Sequence, residues 1–199
     1  MVLAACAASE TATPTSQEIV VGDVRPRGGM IAAGIPASRE ALVRFRLAGR
    51  VARVNDGDTA EIRLADGAVV ALRFSDIDAP ETGHGPERPG QPGARHARTA
   101  LRQLLPLGRA VRAECYERDR YDRAVCHVFV GAVNANLEQL RGGWAMLPRR
   151  AAWVRDPESP AAEGEARRAR RGLWASAAPV HPDDWRQRCW ERRDCAGAE

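Results

Sequence analysis

The sequence predicts an α+β fold in which a small five-stranded β-barrel is accompanied by about three helices. Residues 59–74 and 111–130 each contain two runs of alternating apolar residues around a turn, which is typical of β-hairpins. Together with one strand before the first hairpin, the two hairpins give five strands. The apolar residues of 94–107 and the alanines of 157–171 recur at helical spacing instead. With 199 residues, 44% of them hydrophobic, the chain can bury one core, so we expect one domain with tails.

The first 38 residues are rich in Ala, Gly, Ser, Thr and Pro without a sustained period, which predicts a flexible leader or linker. Within it, Leu3-Ala4-Ala5-Cys6 is similar to a bacterial lipobox, which makes Cys6 a candidate for lipidation and membrane anchoring. Only five residues precede Cys6, so a chance match or a truncated start is the alternative. The predicted organisation is a leader at 1–38, a folded domain at 39–186 and a tail at 187–199.

Residues 40–54 are predicted to form either one bent strand or two short strands, with the interruption at Ala48-Gly49. The first hairpin follows, and its turn contains Ala65-Asp66-Gly67. A two-residue turn would mix apolar and polar residues on each face, whereas a three-residue loop with a left-handed Gly67 keeps the faces apart. The second arrangement pairs Ile62 with Val70, Ala60 with Leu72 and Thr59 with Arg73.

Residues 82–93 contain three prolines and four glycines, which predicts a loop before the first helix at 94–107. The second hairpin turns at 119–123. Asn136 is then expected to cap a short helix, and 157–171 to form a third. The tail after His181 is expected to pack on the domain as far as Trp185. This order of elements matches a closed sheet of the OB type.

The hairpin register predicts that one arginine and three carboxylates converge at one end of the barrel. Asp58 precedes the strand that faces Arg73, and Asp78 and Glu81 follow Arg73 closely in the chain. Clustered carboxylates raise each other's pKa unless a cation lies between them, and calcium or magnesium suits such oxygen ligands better than zinc. Taken singly, however, each of these segments is also an ordinary turn or loop sequence.

Together the motifs resemble the staphylococcal nuclease (thermonuclease) family, in the family's order and spacing over about residues 47 to 186. The matching residues are Asp56-Gly57-Asp58-Thr59, then Arg73 with Asp78, Pro80 and Glu81, then Asp119-Arg120-Tyr121-Asp122-Arg123, with further matches at Gly143-Trp144-Ala145 and Gly172-Leu173-Trp174. Asp122 replaces the family's glycine, and aspartate tolerates a left-handed turn better than most residues.

The resemblance implies a calcium-dependent phosphodiesterase, an endonuclease that cleaves DNA and RNA and leaves 3′-phosphate and 5′-hydroxyl ends. The roles it implies are metal binding by Asp58, Asp78 and the carbonyl of Ala79, with Asp56 and Thr59 around the metal. Arg73 and Arg123 would clamp the phosphate, and Glu81 would orient or deprotonate the attacking water. Tyr121 would contact the substrate phosphate. A second such tyrosine of the family aligns with Arg149.

The competing function is a non-catalytic OB-fold module that binds nucleic acid. Nuclease-like modules without activity lose carboxylates or arginines, and this chain keeps all five of Asp58, Arg73, Asp78, Glu81 and Arg123. The net charge of +4 suits a polyanion, although the use of arginine for all 30 basic residues also fits a GC-rich genome. Aromatic residues are only 5%, which argues against recognition by base stacking. No obligate protein partner is evident, and we expect a monomer.

The cysteines give information on the cellular compartment of the protein. Cys115 and Cys126 fall opposite each other in the second hairpin, and Cys189 and Cys195 form a second local pair. If Cys6 is lipidated or removed, the other four are even in number, as expected of an exported, disulfide-bonded protein. The alternative is free thiols in a cytoplasmic protein.

Overall fold

The structure, a computed structural model, describes residues 38–198 and the backbone of three short strands before them. These strands are Ile19–Val20 (β1), Met30–Ile31 (β2) and Ile35–Pro36 (β3). Cys6, the lipidation candidate, lies outside the described residues. None of the helices in the described part of the chain is both long and apolar enough to cross a bilayer.

Five strands form a closed barrel, as the sequence predicted: Phe45–Val54 (β4), Thr59–Arg63 (β5), Val69–Phe74 (β6), Ala110–Arg118 (β7) and Ala124–Val130 (β8). The barrel closes because β4 pairs with β5 on one side and with β7 on the other. The pair β6 and β8 is parallel, and the other barrel pairs are antiparallel. Inward side chains such as Ile62, Leu72 and Val128 fill the interior. A short strand Val133–Asn134 (β9) pairs antiparallel with the end of β8.

The helices pack around one end of this barrel. They are Ala94–Leu104 (α1), Ala135–Arg141 (α2), Ser159–Arg168 (α3) and Pro182–Trp185 (α4), and α4 continues as one π-helical stretch, Arg186–Glu191. Short 3₁₀ turns lie at Glu40–Leu42, Ala151–Trp153 and Gly172–Ala175. The first and third helices are where they were predicted but end three residues earlier, since Leu105 and Ala169 no longer have helical backbone angles.

The predicted cap of the short helix was wrong. Asn134 caps α2, and its side chain accepts the backbone N–H groups of Asn136 and Leu137. Asn136 itself is fully buried, and its amide group bonds to the backbone of the barrel at Val128, Ser75 and Cys126. Asn134 and Asn136 therefore have different structural roles, and the residue type alone did not show which of them caps the helix.

The register of the first hairpin is the predicted one. Ile62 pairs with Val70 and Thr59 with Arg73, around a three-residue loop in which Gly67 has φ 90°. The bend expected at Ala48-Gly49 was wrong, because both residues continue the ladder between β4 and β7. The irregularity lies between Val51 and Arg53 instead. Gly49 allows close strand approach, since a Cβ there would lie 2.6 Å from the carbonyl oxygen of Arg63.

Both predicted disulfides are present. Cys115 and Cys126 face each other across β7 and β8 inside the barrel. Cys189 and Cys195 close a loop directly after α4. The tail packs further than predicted, because Cys189 is fully buried and the indole N–H of Trp190 donates to the carbonyl of Pro89 at 3.0 Å. The final turn is thereby held against the loop at 82–93.

A buried polar cluster fixes the turn that follows β6. Asp76 has φ 65°, and its carboxylate accepts the backbone N–H groups of Arg155 and Asp156 at 2.8 and 2.7 Å. Beside it, His127 is fully buried, with Nδ1 2.6 Å from the hydroxyl of Tyr116 and Nε2 3.6 Å from Asp76 Oδ2. Burial raises the pKa of Asp76 and lowers the pKa of His127 to about 3. His127 is therefore neutral at physiological pH.

This burial predicts a loss of stability in mild acid. An unfolded histidine titrates near 6.5 and takes up a proton as the pH falls, whereas folded His127 does so only near 3. Its stabilising effect is full above pH 6.5 and is lost as the pH falls toward 3. We expect urea unfolding to show a loss of about 2 kcal/mol between pH 7 and pH 5, since each pH unit below 6.5 removes about 1.4 kcal/mol.

His127→Gln should flatten this dependence, even if the variant is less stable at pH 7. His96→Gln is the matched control, because His96 is exposed on α1 and its replacement should keep the parent profile. The comparison with His127→Gln separates the effect of His127 from that of Asp76. The raised pKa of Asp76 makes the folded protein more stable, not less, as the pH falls. An unchanged slope in His127→Gln would contradict the assignment.

Candidate active site

The turn between β4 and β5 places Asp58 at the end of the barrel. The backbone N–H of Asp58 donates to Asp56 Oδ1 at 3.0 Å, and the hydroxyl of Thr59 donates to Asp58 Oδ1 at 3.2 Å. Gly57 packs closely against α1, since a Cβ there would lie 2.6 Å from the Cβ of Ala79 and 2.8 Å from that of Ala97. Asp56, Gly57 and Thr59 thus set the position of the Asp58 carboxylate.

Asp78 is held by its backbone. Its N–H and C=O exchange hydrogen bonds with Met146 at 2.7 and 2.9 Å. The next N–H, that of Ala79, donates to Asp58 Oδ2 at 2.7 Å. The segment after β6 is therefore tied to the turn before β5, and the two aspartates come together although 20 positions separate them in the sequence.

Arg73, on β6, lies between these aspartates. Its Nη1 is 2.8 Å from Asp58 Oδ2, and its Nη2 is 3.2 Å from Asp78 Oδ1. Both aspartates are buried, with 7% and 5% of their surface exposed. Burial raises the pKa of Asp58 well above its usual range, and Asp56 and Asp78 add to this, while Arg73 opposes it. Positive charge therefore stabilises the cluster.

Glu81 lies beside Asp78 at the start of the loop at 82–93. Its backbone N–H and C=O both bond to Gln91. Burial raises the pKa of the Glu81 carboxyl, although Arg186 opposes this by donating to it. The structure thus brings together four residues that the sequence predicted as one cluster, namely Asp58, Arg73, Asp78 and Glu81.

Arg186 is the site residue that the sequence did not predict. It follows the fully buried Trp185 and donates to both oxygens of Asp78, at 3.2 and 2.8 Å. Burial opposes the charge of Arg186, but Asp78 and Glu81 outweigh this effect and raise its pKa. The contact joins residues 108 positions apart. No sequence motif connects Arg186 with Asp78, so the contact can be seen only from the packing of the C-terminal helix, which is α4 with its π-helical continuation (residues 182–191).

Arg123 lies apart from the carboxylates, in the turn between β7 and β8. Its Nε donates to Asp119 Oδ2 at 2.7 Å, and its guanidinium lies 5.4 Å from the ring of Tyr121. Asp122 has φ 61°, so it adopts the left-handed conformation expected of the glycine it replaces. The side chain of Tyr121 is largely exposed and stacks near Arg120 as well.

A groove of about 580 Å³ connects these two regions. Seven arginines line it: Arg73, Arg118, Arg123, Arg149, Arg150, Arg155 and Arg186. Arg149, the residue that aligns with a family tyrosine, pairs with Asp184 at the groove edge. Five acidic residues also line the groove, namely Asp76, Asp78, Glu117, Asp119 and Asp183, so positive charge is in excess. Such a groove suits a phosphodiester chain.

The donor atoms at the acidic end fit a hard divalent cation. Two buried carboxylates converge on one guanidinium, and Ala79 follows Asp78 directly in the chain. Calcium and magnesium bind such carboxylate and carbonyl oxygens and complete their coordination with water. Within residues 38–198, no three His, Cys, Asp or Glu side chains form a ready-made cage for a metal.

Comparisons with known proteins point to one family. The sequence pattern described as staphylococcal nuclease homologue matches residues 71–176. An uncharacterized endonuclease of Escherichia coli O157:H7 is 36% identical over 146 residues, which cover 70% of this chain and 85% of that protein. Protein ParB of Escherichia coli is 34% identical over 74% of this chain and 84% of its own length. A probable staphylococcal-like nuclease of Oryza sativa subsp. japonica is 34% identical over 58% of this chain and 29% of its own.

The packing around Gly57 gives a test of the turn geometry. Gly57→Ala should lower the free energy of unfolding by about 1–3 kcal/mol, because the added methyl group would overlap Ala79 and Ala97. Urea unfolding measures this. Gly164→Ala, in α3, is the control: only the flexible end of Arg168 lies near its Cβ, so it should be neutral or stabilising by about 0.5–1 kcal/mol. Equal effects of the two variants would contradict the close packing.

Proposed function

We propose that this chain, which belongs to the staphylococcal nuclease family, is a calcium-dependent phosphodiesterase that cleaves DNA, RNA or both. The family and the relatives named as endonucleases support a hydrolytic nuclease acting on nucleic acid. The observation that carries the finer proposal is the convergence of two buried aspartates on Arg73, beside Glu81, at the end of an arginine-lined groove.

Asp58, Asp78 and the carbonyl of Ala79 would hold the calcium ion, and Asp56 and Thr59 would keep Asp58 in position. When bound, the ion would stabilise the negative charge that develops on the phosphate oxygens. A divalent cation would also relieve the repulsion that raises the pKa of Asp58. The same hydrogen bonds that fix the turn before β5 thereby support the metal ligand.

Glu81 would take a proton from the attacking water. Its raised pKa favours this role, because a carboxylate of higher pKa is a stronger base. Arg73 and Arg123 would donate to the non-bridging phosphate oxygens from two sides of the groove. Tyr121, exposed at the rim, would contact a neighbouring phosphate through its hydroxyl.

The two disulfides favour an oxidising compartment, because such bonds are rare in reducing cytoplasm. We therefore propose export to the periplasm or the exterior. Lipidation at Cys6 would add a membrane anchor to the same protein.

The proposed function predicts that cleavage depends on a metal ion. The purified chain should cleave plasmid DNA or RNA in the presence of calcium, and excess chelator should abolish cleavage, because the carboxylates would then lack their cation. Gel electrophoresis of the products measures this, with Asp78→Asn as the inactive control. Binding of DNA without cleavage would support the non-catalytic module instead, and cleavage in excess chelator would contradict the metal.

Replacement of Arg123 or Glu81 by alanine should lower the cleavage rate by about 10² or more, since one removes a phosphate donor and the other the base. Both side chains are partly exposed, so thermal unfolding should change little. Arg102→Ala, at an exposed position of α1, is the control for loss of one positive charge and should cleave like the parent. Rates within a few-fold of the parent would remove Arg123 or Glu81 from the mechanism.

A further inference from the structure

The C-terminal helix brings a second arginine, Arg186, to the acidic cluster that already contains Arg73. Arg186 donates to Asp78 Oδ1 at 3.2 Å and Oδ2 at 2.8 Å, and also to Glu81 Oε1. Asp183, one turn earlier, accepts a further bond from it at 3.0 Å. Arg186 also lines the groove, so its guanidinium faces both the carboxylates and the space for a phosphate chain.

Several independent contacts fix the helix that carries Arg186. Trp185 is fully buried, and the disulfide between Cys189 and Cys195 closes the turn that follows. Farther along, Trp190 donates to the carbonyl of Pro89 at 3.0 Å, and Arg193 donates to that of Glu87 at 2.9 Å. The C-terminal helix is thus attached to the loop at 82–93, which follows Glu81, and these contacts hold Arg186 at the site.

The arrangement leaves no oxygen of Asp78 without a guanidinium. Oδ1 accepts from Arg73 and Arg186, and Oδ2 accepts from Arg186. A divalent cation needs at least one of these oxygens, and it repels a guanidinium at short range. Arg186 is the cation that can leave Asp78, because its side chain is 30% exposed, whereas that of Arg73 is 22% exposed, lies on a barrel strand and also pairs with Asp58 at 2.8 Å.

We propose that Arg186 is a displaceable cation that competes with the metal for Asp78 and Glu81. In the metal-free protein it donates to both carboxylates and offsets part of their charge. When the metal binds, Arg186 moves away from Asp78 into the groove and binds a phosphate oxygen of the nucleic acid. Arg186 is on this basis a substrate-positioning residue that also sets metal affinity. The inference rests on the proposed metal site at Asp58 and Asp78.

Calcium titration calorimetry of the full chain without nucleic acid tests the competition. Arg186→Gln should bind calcium about tenfold more tightly than the parent, because one positive charge leaves the site. Arg186→Lys, which keeps the charge, should lie near the parent. Arg192→Gln is the matched control, because Arg192 is exposed in the same terminal segment and its loss should change calcium affinity by less than about twofold.

The second arm measures thymidine 3′-phosphate, a product-like nucleotide that cannot be cleaved, at saturating calcium. Arg186→Gln should bind it several-fold more weakly than the parent. Equal calcium affinity of the parent and Arg186→Gln would overturn the competition while leaving the nuclease proposal intact. Failure of the parent and both Arg186 variants to bind calcium, together with cleavage in chelator, would overturn the metal site and the inference with it. Unchanged nucleotide affinity would overturn the positioning role.

Discussion

The ion pairs of Arg73 with two buried aspartates are the interaction on which the site depends. Asp58 and Asp78 would repel each other strongly at this burial, and the guanidinium between them offsets that repulsion. Each carboxylate is positioned by the backbone: Asp58 by the N–H of Ala79, and Asp78 by the bridge of its own peptide groups to Met146. Because the backbone fixes both carboxylates, they cannot move apart, and a nearby cation stabilises them.

The barrel supplies this cluster through its register. Thr59 pairs with Arg73, which returns the chain from β6 to the end of the barrel where Asp58 lies. The left-handed Asp76, with its carboxylate on two backbone N–H groups, then directs the chain toward Asp78. The second hairpin, with the Cys115 to Cys126 disulfide, places Arg123 on the other side of the groove. The proposed metal ligands and phosphate donors therefore come from the two hairpins and the segments next to them, which are joined by the parallel pair of β6 and β8.

The features that depend on short-range patterns could be predicted from the sequence. Alternation and the position of Gly67 determine the register of the first hairpin, and the turn at 119–123 makes Cys115 and Cys126 opposite. Features that depend on distant packing could not. Asn134, rather than the predicted Asn136, caps α2, because the amide of Asn136 bonds to the backbone of the barrel. Arg186 reaches Glu81 across 105 positions only because Trp185 is buried, and no local motif encodes that contact.

A crystal structure with calcium and thymidine 3′-phosphate bound tests the central claim most directly. We expect one calcium ion at about 2.3–2.6 Å from carboxylate oxygens of both Asp58 and Asp78 and from the carbonyl of Ala79. We also expect the nucleotide phosphate to lie between that ion and the guanidinium of Arg123. Calcium bound elsewhere, or ordered nucleotide in the groove while Arg73 and Arg186 keep both aspartates without an ion, would contradict the proposed metal centre.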